Sequence, residues 1–290
     1  MPVNQESVIP SFWPHRDASR WVESGGLRWH VQTFGHGDPI VLLHGTGASG
    51  HSWASVATHL ATHYRVVIPD LPGQGFSELP RASDCSLQHY AQQVDQLLHT
   101  LNLLPATIVG HSAGAAIGLQ CGIDLPKRYD HIICVNGAFR PFGGAAYGLF
   151  SRCAQWLSRT GLLPWLISKR QLSERQIQKA LGDTGSQLCG ESVRCYQHLL
   201  QNRQHIQGAL QMMAGWRLDT LGAQLSRIEA SVSLITASGD RTVAPHQSDW
   251  AAERIASASR TSIPGLGHLA HEEDPTQVAQ LIADLKQMRR

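Results

Sequence analysis

The stretch Ala106-Thr107-Ile108-Val109-Gly110-His111-Ser112-Ala113-Gly114-Ala115-Ala116-Ile117-Gly118-Leu119 decides how the chain is read. A mostly apolar run enters a Gly-x-Ser-x-Gly turn and a run of small residues leaves it, the pattern of a buried strand, a sharp turn and a close-packed helix. The two glycines make room for a turn residue held in a strained backbone conformation. Ser112 is then the tip of a nucleophile elbow, its hydroxyl projected from the end of a sheet above the first N–H groups of a helix. Five such residues also suit a plain strand-turn-helix connection, so the other loops must decide.

Three further stretches end predicted strands with chemistry. Ile40-Val41-Leu42-Leu43 runs into His44-Gly45-Thr46-Gly47, a Gly-rich loop able to turn a backbone N–H toward the serine. Ser233 to Ala237 runs into Ser238-Gly239-Asp240-Arg241 and brings a carboxylate just past a strand. Thr261-Ser262-Ile263 leads to Pro264-Gly265-Leu266-Gly267-His268, an imidazole on the final loop. Serine, aspartate and histidine follow one another along the chain in the order of an α/β-hydrolase triad.

Composition bounds the answer. A chain of 290 residues with 42% hydrophobic content suits one large α/β domain with an insertion. The formal charge of +2 and the lack of any Lys/Arg run exclude a nucleic-acid surface, which needs clustered positive charge. Residues Met1 to Pro14 have neither a basic start nor a continuous apolar stretch, so no signal peptide or transmembrane segment is expected and the chain is assigned to the cytoplasm. The six cysteines form no CxxC pair and read as free thiols. Most of the sixteen histidines read as surface or loop groups.

Along the chain, Phe12, Trp13 and Trp21 are expected to pack an N-terminal arm on the body. The alternation over 27–34 predicts an antiparallel edge strand, followed by strands at 40–43, 65–68, 106–109, 132–136, 232–237 and 260–263. Helices are predicted over 52–63, from Ser86 to about Leu101, after the elbow, over 221–228 and 246–255, and over 275–288. The alternation implies a mostly parallel sheet, eight-stranded and flanked by helices, with a helical cap inserted after the sixth strand. Residues 1–137 and 217–290 form the core and 138–216 the cap, where no strand is evident and short helices break at Gly and Pro. The loop Asp70 to Ser77 is expected to shape the pocket floor.

The chemistry follows from the residue types. A serine hydroxyl needs a base to take its proton, and His268 is that base; Asp240 holds the imidazole in the right tautomer. The backbone N–H groups of Thr46 and Ala113 are expected to form the oxyanion hole. Asp219 is a reserve acid. His44 and His111 flank the site and read as loop-holding groups beside the substrate, rather than as proton carriers. Phe142, Trp156, Met212, Met213 and Trp216 are candidates for the apolar substrate wall, since methionine adapts to irregular shapes. His268-Leu269-Ala270-His271-Glu272-Glu273 lacks a third ligand cluster, so neither a metal site nor any cofactor is expected.

The elbow, His44-Gly45-Thr46-Gly47, Gly239-Asp240-Arg241-Thr242-Val243 and the His268 run together resemble the α/β-hydrolase superfamily over the body of the chain. More narrowly, Trp13 to Arg20, Gly25 to Gln32, Pro141-Phe142-Gly143-Gly144 and Gly208-Ala209-Leu210-Gln211-Met212-Met213 resemble the magnesium-chelatase accessory proteins of bacteriochlorophyll biosynthesis. That resemblance implies a supporting role around magnesium insertion into protoporphyrin IX and transient contact with magnesium chelatase. It leaves the substrate open. Three functions stay in view: a serine hydrolase acting on an ester or acyl bond of a large apolar substrate, a non-catalytic porphyrin-binding accessory, and a carbon-carbon bond hydrolase of aromatic breakdown.

Overall fold

The computed structural model describes residues 8–81, 84–104, 106–141, 162–170, 172–188 and 190–288. Among them eight strands form one sheet: β1 (Ser19–Ser24), β2 (Leu27–Phe34), β3 (Pro39–Leu43), β4 (Arg65–Pro69), β5 (Ala106–His111), β6 (Tyr129–Val135), β7 (Ser231–Ala237) and β8 (Ala258–Ile263). Their spatial order is β1-β2-β4-β3-β5-β6-β7-β8. β1, β2 and β4 pair antiparallel and the rest run parallel. The inner parallel strands are buried along their length because both faces are covered, as β3 and β5 illustrate, whereas the edge strand β8 is polar and partly exposed.

Helices α1 (Ala54–Leu60) and α11 (Pro275–Gln287) cover one face, packing Val56, Leu60, Val278 and Ile282 against Ile40, Leu42 and Ile133. On the other, α2 (Leu87–Thr100) and α3 (Ala113–Asp124) pack Tyr90, Val94, Ile117 and Leu119 against Val41, Ile108 and Ile132. Ser86 caps α2 by accepting the His89 amide. Among the described residues between β6 and β7 lie four helices of the predicted cap: α4 (Leu162–Lys169), α5 (Glu174–Gly182), α6 (Glu191–Gln201) and α7 (Arg203–Gly215). Ser173 and Gln176 close a capping box at α5, and Asn202 caps α7. The core resumes with α8 (Leu218–Gly222), α9 (His246–Ala252) and the short α10 (Ala270–Glu273).

Several expectations need correction. Residues 27–34 are not the edge: β1 lies outside them, joined through Gly25-Gly26, and its polar Ser-Arg-Trp-Val-Glu-Ser sequence hid it. The helix read at 52–63 is a 3-10 turn (Gly50–Trp53) followed by α1. The helix read at 221–228 starts earlier as α8 and ends in a separate turn, Leu225–Arg227. Histidine is the largest misreading: His30, His44, His51, His111, His131, His205, His268 and His271 are buried, eight of the sixteen. Trp13 is buried with Phe76, Cys195 and Leu199, and partly buried Phe12 and Trp21 join that cluster, so the arm meets both core and cap. Cys85, Cys121, Cys134 and Cys195 are free and buried. No helix among the described residues is long and apolar enough to cross a membrane.

Candidate active site

Ser112 joins β5 to α3 at φ +51° and ψ −110°. Few non-glycine residues adopt positive φ, so the surroundings must hold it there. Its N–H donates to the Val135 carbonyl at 3.0 Å and its carbonyl accepts the Ala138 amide at 3.2 Å. A Cβ on Gly110 would stand 2.3 Å from the Gly114 backbone, and one on Gly114 would stand 2.3 Å from the Leu43 oxygen. The close approach of β3, β5 and α3 therefore requires glycine at both places.

Asp240 follows β7, and its buried carboxylate meets His268 Nδ1 at 2.7 Å. The other carboxylate oxygen accepts the amides of Thr242 and Val243, each at 2.8 Å. With Nδ1–H donated to Asp240, Nε2 is the imidazole nitrogen left for a serine proton. The loop carrying His268 is held from behind: His111 Nε2–H donates to the His268 carbonyl at 2.9 Å, as does Asn136 Nδ2–H at 2.9 Å. Asn136 also accepts the Ala237 amide at 2.7 Å, so one side chain joins the ends of β6 and β7 to the histidine loop. It sits at φ +47°, a conformation asparagine tolerates better than most residues. Sequence reading passed over it.

The opposite wall is built from the loop after β3. Gly47 N–H donates to Gln74 Oε1 at 2.6 Å, and Gln74 Nε2–H and Thr46 Oγ1–H both point at the Met212 sulfur, at 3.4 and 3.1 Å. From the cap, His205 accepts the Gly75 amide at Nδ1 (2.9 Å) and donates Nε2–H to the Gly47 carbonyl (3.2 Å). Burial lowers the His205 pKa to about 4, which keeps the neutral tautomer this pairing needs. The Ala113 N–H opens α3 and has no intrahelical carbonyl to bond. Gln74 and His205 are the residues here that sequence reading missed, although Gly73-Gln74-Gly75 lies in the loop assigned to the pocket floor.

Ser112, His268, Thr46, Ala113 and His111 line one cavity of about 650 Å³. Met212, Met213 and Trp216 line it from the cap side with Ile177, Leu181, Tyr196 and Leu200. His44 does not: it is wholly buried, donating Nδ1–H to the Gly45 carbonyl (2.8 Å) and accepting the Leu71 amide at Nε2 (2.9 Å). Burial lowers its pKa, so it is a neutral loop clamp rather than a substrate contact. Asp219 is exposed near the mouth and paired with Arg217 at 3.3 Å, while Asp240 holds the histidine. Phe142 and Trp156 lie outside the described residues. Among the described residues no group of three or more His, Cys, Asp or Glu could hold a metal ion.

Residues 38–275 match the alpha/beta hydrolase fold family. The magnesium-chelatase 30 kDa subunit of Rhodobacter capsulatus is 36% identical over 279 residues, covering 96% of this chain and 97% of its own. The (E)-2-((N-methylformamido)methylene)succinate hydrolase of Acinetobacter baylyi is 26% identical over 251 residues, covering 87% of this chain and 91% of its own. Among solved structures, the epoxide hydrolase CorEH superposes with a TM-score of 0.77 at 23% identity over 94% of this chain and 99% of its own, a likeness of fold.

Proposed function

The chain belongs to the alpha/beta hydrolase fold family, and on that premise we propose that it is a serine hydrolase cleaving an ester or related acyl bond of a large apolar substrate. The observation that carries this reading is the 2.7 Å bond between His268 and a buried Asp240, in a cavity shared with a serine on a strained elbow. In the reaction, Ser112 Oγ attacks the acyl carbon while His268 Nε2 takes its proton, and Asp240 stabilises the imidazolium. The N–H groups of Thr46 and Ala113 meet the oxyanion, each donor contributing about 3 kcal/mol of transition-state stabilisation. His268 then protonates the leaving group, and a water activated by the same imidazole releases the acyl group from Ser112. A serine at the elbow, where an aspartate nucleophile would be needed, speaks against epoxide opening.

The setting we propose is magnesium insertion into protoporphyrin IX during bacteriochlorophyll formation, in contact with magnesium chelatase. It is supported by the near full-length 36% identity to the Rhodobacter capsulatus subunit. A second reading, a holder of porphyrin without catalysis, is favoured by the apolar cavity of about 650 Å³ walled by Met212, Met213 and Trp216. Labelling by a fluorophosphonate probe separates them: the hydrolase labels as wild type and not as Ser112→Ala. A folded wild type that takes no label, in a strain whose pigment is normal with Ser112→Ala, would leave the holder. The precursor that accumulates in a Ser112→Ala strain names the substrate.

A further inference from the structure

The segment 184–187 belongs to the cap in sequence, between α5 and α6, and besides its bonds back to Leu181 and Gly182 it reaches the core loops of Asp240 and His268 and the carboxylate of Glu273. The Thr184 carbonyl accepts two amides, that of His268 at 3.3 Å and that of Arg241 at 3.1 Å. One oxygen thus touches the backbone of the base and of the residue after the acid. Ser186 Oγ, buried, accepts the Leu269 amide at 2.8 Å. The Gln187 amide donates to Glu273 Oε1 at 2.9 Å, and the same carboxylate takes the Gly267 amide on Oε2 at 2.7 Å. Between these contacts the chains nearly touch: a Cβ on Gly185 would stand 2.2 Å from the Gly239 oxygen, and one on Gly267 would stand 2.3 Å from the Gly185 carbon. Gly185 also has φ +91°, so a side chain there is strained as well as crowded.

We propose that segment 184–187 is a strap that positions the Asp240–His268 pair, with Thr184, Gly185 and Ser186 as positioning residues for the hydrolysis. The proposal rests on the serine-hydrolase reading for its kinetic arm and on geometry alone for its spectroscopic arm. It assigns a fixed side to the cap. Three core amides, at residues 241, 268 and 269, bond to the strap, and the strap's own Gln187 amide bonds to Glu273, so lifting the cap here would leave four donors to find other partners. Substrate therefore passes on the side of Met213, Arg217 and Asp219, which also line the cavity and are exposed.

The test uses Ser186→Ala and Gly185→Ala in the full chain, with Ser186→Thr as the conservative rescue. The first readout is the downfield proton resonance of the His268 Nδ1–H···Asp240 bond; the second is kcat and KM on a p-nitrophenyl ester. Gly185→Ala should shift or broaden the resonance and lower kcat on the order of 10²-fold, with KM little changed, since a misplacement of an ångström at the reacting groups has that effect. Ser186→Ala removes one acceptor and should lower kcat about threefold to tenfold, with Ser186→Thr restoring it. If Gly185→Ala does not fold, Ser186→Ala decides. A folded variant with the resonance and kcat of wild type overturns the strap. A wild type without turnover, whose resonance still responds to Ser186→Ala, keeps the strap and sinks the hydrolase reading instead.

Discussion

An alanine methyl at position 114 would press on the Leu43 carbonyl oxygen, an atom fixed in β3 that has nowhere to go. Gly114→Ala is therefore expected to destabilise the fold by about 3 kcal/mol or more, read as a fall in the urea midpoint. Asp240→Asn should behave in the opposite way. The amide can still accept from Thr242 and Val243 through Oδ1, so folding survives. Its NH₂ then faces His268 Nδ1 and imposes the wrong tautomer, which should lower kcat about 10⁴-fold with unchanged circular dichroism. Ser112, Asp240 and His268 were legible because each is a reactive side chain at a predicted strand end. Gln74, Asn136 and His205 were not, because they act on backbone amides and carbonyls, and those partners leave no mark in the sequence.

At the level of elements, α10 and α6 meet through a carboxyl group. Glu272 Oε1 accepts the Tyr196 hydroxyl at 2.7 Å, and Oε2 pairs with the Ser192 hydroxyl. Burial raises the Glu272 pKa to about 7, although the two hydroxyls pull it back. Since the folded value lies above the ordinary 4.5, the folded state holds the proton more tightly. The stability gained from that proton is full below pH 4.5 and is lost as pH rises through about 7. Glu272→Gln, which imitates the protonated group, should exceed wild type in unfolding free energy by about 2 kcal/mol more at pH 8 than at pH 5. Equal differences at the two pH values would mean that Glu272 does not titrate in this window. The inner parallel strands and their covering helices were readable because burial on both faces leaves an apolar run. β1 was not, because its composition is polar, although Gly25-Gly26 before the alternation of β2 is itself a hairpin signal.

For the molecule as a whole, the buried histidines set an acid limit. Burial lowers the pKa of His51 and of His271 to about 3 and that of His205 to about 4, and holds His44 and His111 below their ordinary value too. Folded values below unfolded ones mean that stability is full above pH 6.5 and is lost as pH falls toward 4. Each such imidazole contributes up to about 1.4 kcal/mol per pH unit in that range, so several together outweigh the opposite slope from Glu272. Urea midpoints should fall steeply from pH 7 to pH 5, and His271→Gln should flatten the slope. Composition alone could not foretell this, because sixteen dispersed histidines look the same whether buried or exposed. The Thr184 carbonyl, bonded to both loops of the acid–base pair, has one more consequence. A chimera that grafts a foreign lid between β6 and β7 would inherit new walls for the cavity and forfeit the crossbar between the loops of Asp240 and His268. On the strap proposed above, a grafted lid should keep Asp240 and His268 in place only when it brings a matching carbonyl with it.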